Sequence, residues 1–125
     1  MKLLALSGEY CVCRLRSDQP VPSWVWNSAF CSVTRSPDEL SVVCQQDTVP
    51  FEVIREPGWR CWKLQGPIPF SAAGVVRSLA EPLGAAGIPI FIISTYDTDY
   101  LLVKQKHETS ARRALLAAGH DVEQS

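Results

Sequence analysis

Five polar or aromatic side chains follow one another in the C-terminal half of the chain: Thr95, Tyr96, Asp97, Thr98 and Asp99. They divide two runs of β-branched and aromatic residues, which predict strands over residues 88–94 and 100–105. In such a hairpin the five side chains lie at the rim of a rigid sheet, where a ligand can reach them. Threonine and aspartate also hydrogen-bond their own backbone in turns, so a purely structural role is the competing interpretation.

The two acids of this segment raise the question of a metal ion. On an extended chain Asp97 and Asp99 face the same side, and they could hold a divalent cation together with Asp38 or Glu39. Such an ion needs further oxygen ligands, which the sequence does not place nearby. We therefore expect no metal and no cofactor.

Motifs for catalysis are absent from the sequence. It contains no glycine-rich phosphate loop, HExxH or GxSxG pattern. The two histidines, His107 and His120, lie in polar C-terminal surroundings, and no motif ties either of them to a cysteine. The sequence thus favours a protein that is not an enzyme.

The five cysteines are Cys11, Cys13, Cys31, Cys44 and Cys61. They form an odd number and include no CxxC pair. Cys11 and Cys13 point to one side of a predicted strand, but two thiols alone do not complete a zinc site. The pattern favours cysteines that pack as small apolar residues in strands of a protein in a reducing compartment. It argues against cysteines that bind a metal ion or carry out redox chemistry.

Composition restricts the partners and the location. The chain of 125 residues carries a formal net charge of −1, and neither sign of charge is clustered. This gives no support for a nucleic-acid or anionic-membrane partner. No run of about 18 apolar residues occurs, and residues 1–6 are too short for a secretory or transmembrane segment. We expect a cytoplasmic protein.

The hairpin is preceded by a predicted helix over residues 74–86, whose apolar residues recur at spacings of three and four. Ser71 is its expected N-cap, and Pro82 conflicts with its last turns. Residues 60–65 predict a strand before this helix, and residues 109–118 a short helix after the hairpin. The apolar first hairpin strand is expected to lie centrally in the sheet, covered on both faces. This order is most of a ferredoxin-like βαββαβ unit.

The N-terminal half reads as a reduced copy of the same plan. Four strands are predicted, over 2–6, 10–15, 30–34 and 40–45, with a short helical or irregular segment at 20–27. The predicted fold class is therefore α+β, with two fused ferredoxin-like βαββαβ units that have antiparallel sheets. The units are expected to span residues 1–58 and 59–125 and to act as one compact domain. The four tryptophans are expected in the core or in a subunit contact rather than against a ligand.

The run Ser94-Thr95-Tyr96-Asp97-Thr98-Asp99, continued by YLLVK, carries a family resemblance. With the Gly-Val-Val helix start and the Gly-Ile-Pro-Ile strand entry, it resembles ACT domains of the CASTOR-like group, relatives of the cytosolic arginine sensors. ACT domains are also regulatory modules of aspartate kinases. The resemblance is strong over residues 59–106 and weaker over residues 30–44.

This resemblance implies a regulatory protein that binds a small molecule, an amino acid, between ACT units. The ligand carboxylate would lie on backbone N–H groups near Gly74, and its ammonium on carbonyl groups near Thr95 and on the Asp99 carboxylate. The positions that match the ligand site of the sensors are Gly74, Thr95, Tyr96 and Asp99. A chain with one ACT pair is expected to form a homodimer or higher homo-oligomer. The alternative is a protein interaction module that uses ACT sheet edges without a ligand.

Overall fold

The computed structural model describes residues 1–123. Its strands are β1 (Lys2–Ala5), β2 (Tyr10–Leu15), β3 (Ser32–Arg35), β4 (Leu40–Gln45), β5 (Ile54–Leu64), β6 (Ile90–Ser94), β7 (Asp99–Lys104) and β8 (Asp121–Val122). Its α-helices are α1 (Val75–Ala85) and α2 (Glu108–Ala117), and short 3₁₀ helices cover Ser23–Asn27, Gln46–Thr48 and Gln105–His107. The α+β fold class is confirmed.

The backbone divides into two units. The N-terminal unit is Gly8–Trp59, and the C-terminal unit combines Met1–Ser7 with the chain from Arg60 onward. The division near residue 59 lies close to the boundary expected from the sequence. Residues 1–7, which the sequence interpretation assigned to the N-terminal unit, group with the C-terminal unit because β1 pairs with the end of β5 and with β8. That the two units act as one compact domain stays a prediction.

The C-terminal unit contains the predicted hairpin. Strands β6 and β7 pair antiparallel, with Ile90 opposite Val103 and Ser94 opposite Asp99. Strand β7 also pairs with β5. Helices α1 and α2 cover a core built from side chains of the strands and of both helices, whose largest members are Leu3, Trp62, Leu64, Leu79, Leu83, Leu101 and Leu115. The hairpin turn is thus held by strands with a buried face.

Strand β6 does not lie where the sequence predicted. Among the strands of residues 1–123 it pairs with β7 alone, and its residues from Ile90 to Ile93 are half-buried. The expectation of a central strand covered on both faces is therefore wrong. A run of apolar residues predicts that a strand is shielded from water, but it does not predict whether another strand pairs with each of its two edges.

The N-terminal unit is smaller and holds no α-helix within Gly8–Trp59. Strand β4 lies between β2 and β3, antiparallel to both, and the first part of β5 pairs with β2. The segment predicted as short or irregular forms the 3₁₀ helix at Ser23–Asn27. The 3₁₀ helix agrees with the short helical or irregular segment predicted over residues 20–27, whereas the first predicted strand, over residues 2–6, groups with the C-terminal unit.

The tryptophans divide between core and surface. Trp62 is 1% exposed and Trp59 9% exposed, whereas Trp26 is 61% exposed and Trp24 is half-buried. The expectation that the tryptophans lie in the core therefore holds for Trp59 and Trp62. Trp26 lies on the surface of the N-terminal unit.

Helix α1 contains Pro82, which has no N–H group to donate to the carbonyl of Ser78. The buried imidazole of His120 replaces that donor, because its Nε2 lies 2.9 Å from the Ser78 carbonyl oxygen. A carbonyl only accepts, so Nε2 carries the proton and Nδ1 is the acceptor for the terminal amino group of Met1, 3.3 Å away. His120 is therefore a structural residue of the C-terminal unit and not part of polar surroundings, as the sequence had indicated.

We expect His120→Ala to lower the free energy of unfolding by about 1–3 kcal/mol, because it leaves the Ser78 carbonyl without its donor. In a Pro82→Ala background the cost should be smaller, since residue 82 then donates its own N–H to that carbonyl. Urea unfolding of the four proteins of this double-mutant cycle measures the difference. Equal costs in the two backgrounds would contradict the role assigned to His120.

Candidate functional site

A cavity of about 410 Å³ opens at the N-terminal end of α1 in the C-terminal unit. Its walls come from the loop before α1, the first turn of α1 and the rim of the β6–β7 hairpin: Ile68, Pro69, Phe70, Ala72, Gly74, Val75, Val76, Arg77, Ser94, Thr95, Thr98 and Asp99. This volume lies within the range of about 300–1,000 Å³ that is typical of small-molecule sites. Of the four positions suggested by the family resemblance, Gly74, Thr95 and Asp99 line the cavity.

The helix begins without a side-chain cap. Gly74 takes the N-cap position with a left-handed φ of +77°, a conformation that favours glycine, so the expectation that Ser71 caps the helix is wrong. The first intrahelical bond runs from the Ser78 N–H to the Gly74 carbonyl, at 2.9 Å. The N–H groups of residues 75–77 precede it and have no partner within the helix. Together with the helix dipole they give this wall of the cavity a partial positive charge.

The hairpin turn is closed by its own threonines. The N–H and hydroxyl of Thr95 both donate to the Thr98 carbonyl, at 2.8 and 3.1 Å. The buried Thr98 hydroxyl donates to the Leu64 carbonyl, at 2.8 Å, which fastens the turn to β5. The structural role considered for Thr95 is therefore present, and its side chain lines the cavity as well.

Asp99 places a carboxylate in this cavity. It begins β7, is 8% exposed, and its Oδ1 accepts a hydrogen bond from the hydroxyl of Ser94, its cross-strand neighbour. Asp97 is exposed instead and does not line the cavity. Within residues 1–123 neither acid belongs to a group of three or more potential metal ligands. The acid pair considered as a cation site is thus divided between a buried and an exposed position.

Tyr96, the fourth position, lies outside the cavity walls. Its side chain is 80% exposed, and its ring meets that of Phe70 edge to face, with centroids 4.9 Å apart. Phe70 does line the cavity and is itself 75% exposed. Tyr96 therefore contacts the candidate site through Phe70.

Sequence reasoning missed several wall residues, among them Ser94, Arg77 and the loop before α1. A hydrogen bond of 2.7 Å from the Ile68 N–H to the Asp97 carbonyl holds this loop against the hairpin. A Cβ at Gly66 would lie 3.2 Å from the same carbonyl oxygen, a tight contact, so the close approach favours glycine there. Arg77 carries a signal that could have been used, because a cation in the first turn of a helix opposes the dipole and calls for a reason.

These elements agree with what is found among known proteins. A family model described as an ACT domain matches residues 54–117, more than half of the chain. The chain belongs to the ACT domain family. A second family model, described as an N-terminal domain, matches residues 8–52. The ACT resemblance inferred from the sequence is thereby confirmed, while its narrower form, the CASTOR-like group, stays a prediction.

Solved structures of similar fold cover nearly the whole chain. A protein from Agrobacterium tumefaciens is 42% identical with a TM-score of 0.92, covering 98% of this chain and 91% of its own. A Vibrio cholerae protein is 18% identical with a TM-score of 0.74, covering 94% and 88%. The regulatory subunit of aspartate kinase from Thermus thermophilus is 14% identical with a TM-score of 0.62, covering 94% of each chain. The last two show the fold alone.

The helices among residues 1–123 are all too short or too polar to cross a membrane.

Proposed function

We propose that this ACT protein is a non-catalytic regulatory protein that binds a free amino acid in the 410 Å³ cavity. One observation carries the proposal. The uncapped N-terminus of α1 and the carboxylate of Asp99 line the same cavity, so groups of opposite polarity converge there. An α-amino acid presents the complementary pair of charges within a few bonds.

The carboxylate end of the ligand fits the helix start. Backbone N–H groups of residues 75–77 are available as donors, and the absence of a Cβ at Gly74 lets a ligand approach the backbone closely. Arg77 lines the same wall and adds a formal positive charge. Its guanidinium pairs with Glu81 at 3.0 Å in an exposed position, where such pairs are weak. The pair can therefore open when a carboxylate binds.

The ammonium end of the ligand fits Asp99. An ionised carboxylate offers about four acceptor positions, and the Ser94 hydroxyl uses one of them. At 8% exposure the group is largely shielded from water, which strengthens a charge-assisted hydrogen bond to an ammonium. Thr95 stands beside it and orients the rim through the turn described above.

The ligand side chain fits the apolar part of the cavity, which the loop before α1 supplies. Ile68, Pro69 and Phe70 line it on one side and Val76 on another. Phe70 and Val76 are 75% and 42% exposed, so burial of both by a ligand would be favourable. The surface around the charged end thus accepts an aliphatic or long side chain.

Two relationships support a regulatory role. The Thermus thermophilus structure of the same fold is a regulatory subunit of aspartate kinase. The sequence around Thr95 to Asp99 resembles the cytosolic arginine sensors, which supports an amino acid as the ligand and the cytoplasm as the location. The ligand set that we propose is Gly74, Thr95 and Asp99, with Tyr96 acting through Phe70.

We further propose that the protein acts as a homodimer or higher homo-oligomer, whose second chain closes the open side of the cavity. The half-buried apolar strand β6 supports this, because among the described strands only β7 pairs with it. A ligand held between two chains stabilises their association by its higher affinity for the associated state.

A thermal-shift panel of the twenty amino acids and of nucleotides tests the proposal. One amino acid should raise Tm in a saturable way, because binding at 100 times Kd stabilises the folded state by about 2.7 kcal/mol. For a chain of this size that corresponds to a shift on the order of 10 °C. A flat panel at millimolar ligand would contradict the proposal.

The alternative is an interaction module that works without a ligand. Large apolar side chains on the N-terminal unit favour it: Phe51 is 97% exposed, Ile54 73% and Trp26 61%. Exposed aromatic residues of this kind are common in protein interfaces. A flat panel together with the loss of a bound partner in Trp26→Ala and Phe51→Ala would favour this function.

A further inference from the structure

Three of the five cysteines meet inside the N-terminal unit. Cys11 and Cys13 lie two residues apart on β2 and so share one face of the strand, and Cys44 on β4 is the cross-strand partner of Cys11. The Sγ atoms of all three lie within 4.8 Å of one another, and the pair Cys11 and Cys13 is 3.5 Å apart. The sequence predicted the first pair, but the register of β4 supplies the third thiol.

The spacing of these sulfurs matches a shared metal ion. With a metal–sulfur distance of about 2.3 Å, as for zinc thiolates, three sulfurs lie about 4 Å apart in a plane and about 3.8 Å apart on a tetrahedron. Both values lie between the 3.5 Å that separates Cys11 from Cys13 and the upper limit of 4.8 Å for all three sulfurs. A small movement of the side chains is thus enough to bring all three onto one ion.

Polar and charged groups border this cluster. The Thr48 hydroxyl lies 3.7 Å from the Cys44 sulfur. The guanidinium of Arg55 places a positive charge near Cys13 and Cys44. It is held in place by the carbonyls of Val49, Pro50 and Val53.

We infer that Cys11, Cys13 and Cys44 form a binding site for a soft monovalent d¹⁰ cation, Cu⁺. Thiolates select copper(I), zinc and iron–sulfur clusters, and zinc in structural sites takes four ligands. The cysteines of the cluster are at most 1% exposed and pack against apolar side chains such as Val25, Leu40 and Val42, and among residues 1–123 no fourth His, Cys, Asp or Glu joins the group. Cu⁺ can be coordinated by three sulfurs without a fourth ligand.

A metal ion can reach this buried site by way of a fourth thiol. Cys31 is half-buried and packs against the core cluster that contains the three buried thiols. Thiolate ligands exchange metal ions from sulfur to sulfur, and Cu⁺ can pass from Cys31 to the site. Binding releases thiol protons and involves no change of oxidation state.

Competition with bicinchoninate for Cu⁺, under anaerobic reducing conditions, tests the inference. The wild-type chain should take up one equivalent and show sulfur-to-copper charge transfer in the near ultraviolet. Cys11→Ser, Cys13→Ser and Cys44→Ser should each lower the affinity by at least about 100-fold. Cys61→Ser is the matched control, because Cys61 is buried in the C-terminal unit, where burial raises its pKa to about 12. This variant should keep the full equivalent.

Several results would overturn the inference: no uptake by the wild type, unchanged uptake by Cys44→Ser, or zinc binding of equal strength that requires Cys31. If a serine variant does not fold, Cys44→Ala avoids a polar group in the core, and its circular dichroism spectrum verifies the fold before titration. Unchanged uptake by a folded Cys44→Ala would overturn the inference in the same way.

Discussion

Asp99→Asn is expected to weaken amino-acid binding by roughly 10- to 150-fold, the value of a hydrogen bond to a charged group. The substitution keeps the shape of the side chain, and an asparagine oxygen still accepts the bond from Ser94. The fold should therefore be retained while the negative charge that faces the ligand ammonium is lost. Isothermal titration with the amino acid that stabilises the wild type measures the change.

Asp97→Asn is the matched control for this variant. Asp97 carries the same charge two residues away but is exposed and does not line the cavity. Its loss should change the affinity only slightly, since exposed charges are screened. Equal effects of the two substitutions would remove Asp99 from the ligand site and reduce its role to the general charge of the hairpin rim.

Trp62→Ala should lower the free energy of unfolding by about 3–5 kcal/mol, the cost of deleting a large aromatic side chain from a core. Trp62 is 1% exposed on β5, within the core that supports both the hairpin and α1. The guanidinium of Arg112 lies 5.9 Å from its ring centroid and covers it. Since whole domains are stable by about 5–15 kcal/mol, this change removes a large part of the total.

The surface tryptophan provides the comparison. Trp26 is 61% exposed, so Trp26→Ala should change the stability by no more than about 1 kcal/mol. Urea unfolding of both variants beside the wild type gives the two values. A loss of similar size in Trp26→Ala would contradict the assignment of the core to Trp62 and its neighbours.

The spacing of apolar and β-branched residues predicted much of the fold, because this spacing determines which helices and strands form locally. The β-branched runs around residues 95–99 gave the hairpin, and the spacing of apolar residues gave α1 to within a residue at each end. Two expectations about these elements failed. The N-cap is Gly74 rather than Ser71, because the left-handed backbone at Gly74 starts the helix without a side-chain cap. Strand β6 pairs with β7 alone among the strands of residues 1–123, and the residues of a strand do not determine how many neighbours it has.

The candidate site shows the same division. Asp99 and Thr95 were found from residue type and family resemblance, whereas Ser94 and Arg77 enter the cavity through strand register and helix phase. His120 was misjudged because its partner is a carbonyl freed by Pro82, 38 residues earlier in the chain. The third cysteine of the thiol cluster likewise depended on the register of β2 and β4. Contacts between residues so far apart in the chain can be identified only from the tertiary structure.

The central claim is that an amino acid binds at the start of α1 and the rim of the hairpin. Its most direct test is a titration of ¹⁵N-labelled protein with the amino acid identified by thermal shift, followed by amide chemical shifts. We predict saturable shifts that cluster at residues 74–77 and 94–99, with the largest at the uncapped N–H groups of α1. Shifts confined to the N-terminal unit, or no shifts at millimolar ligand, would contradict the account.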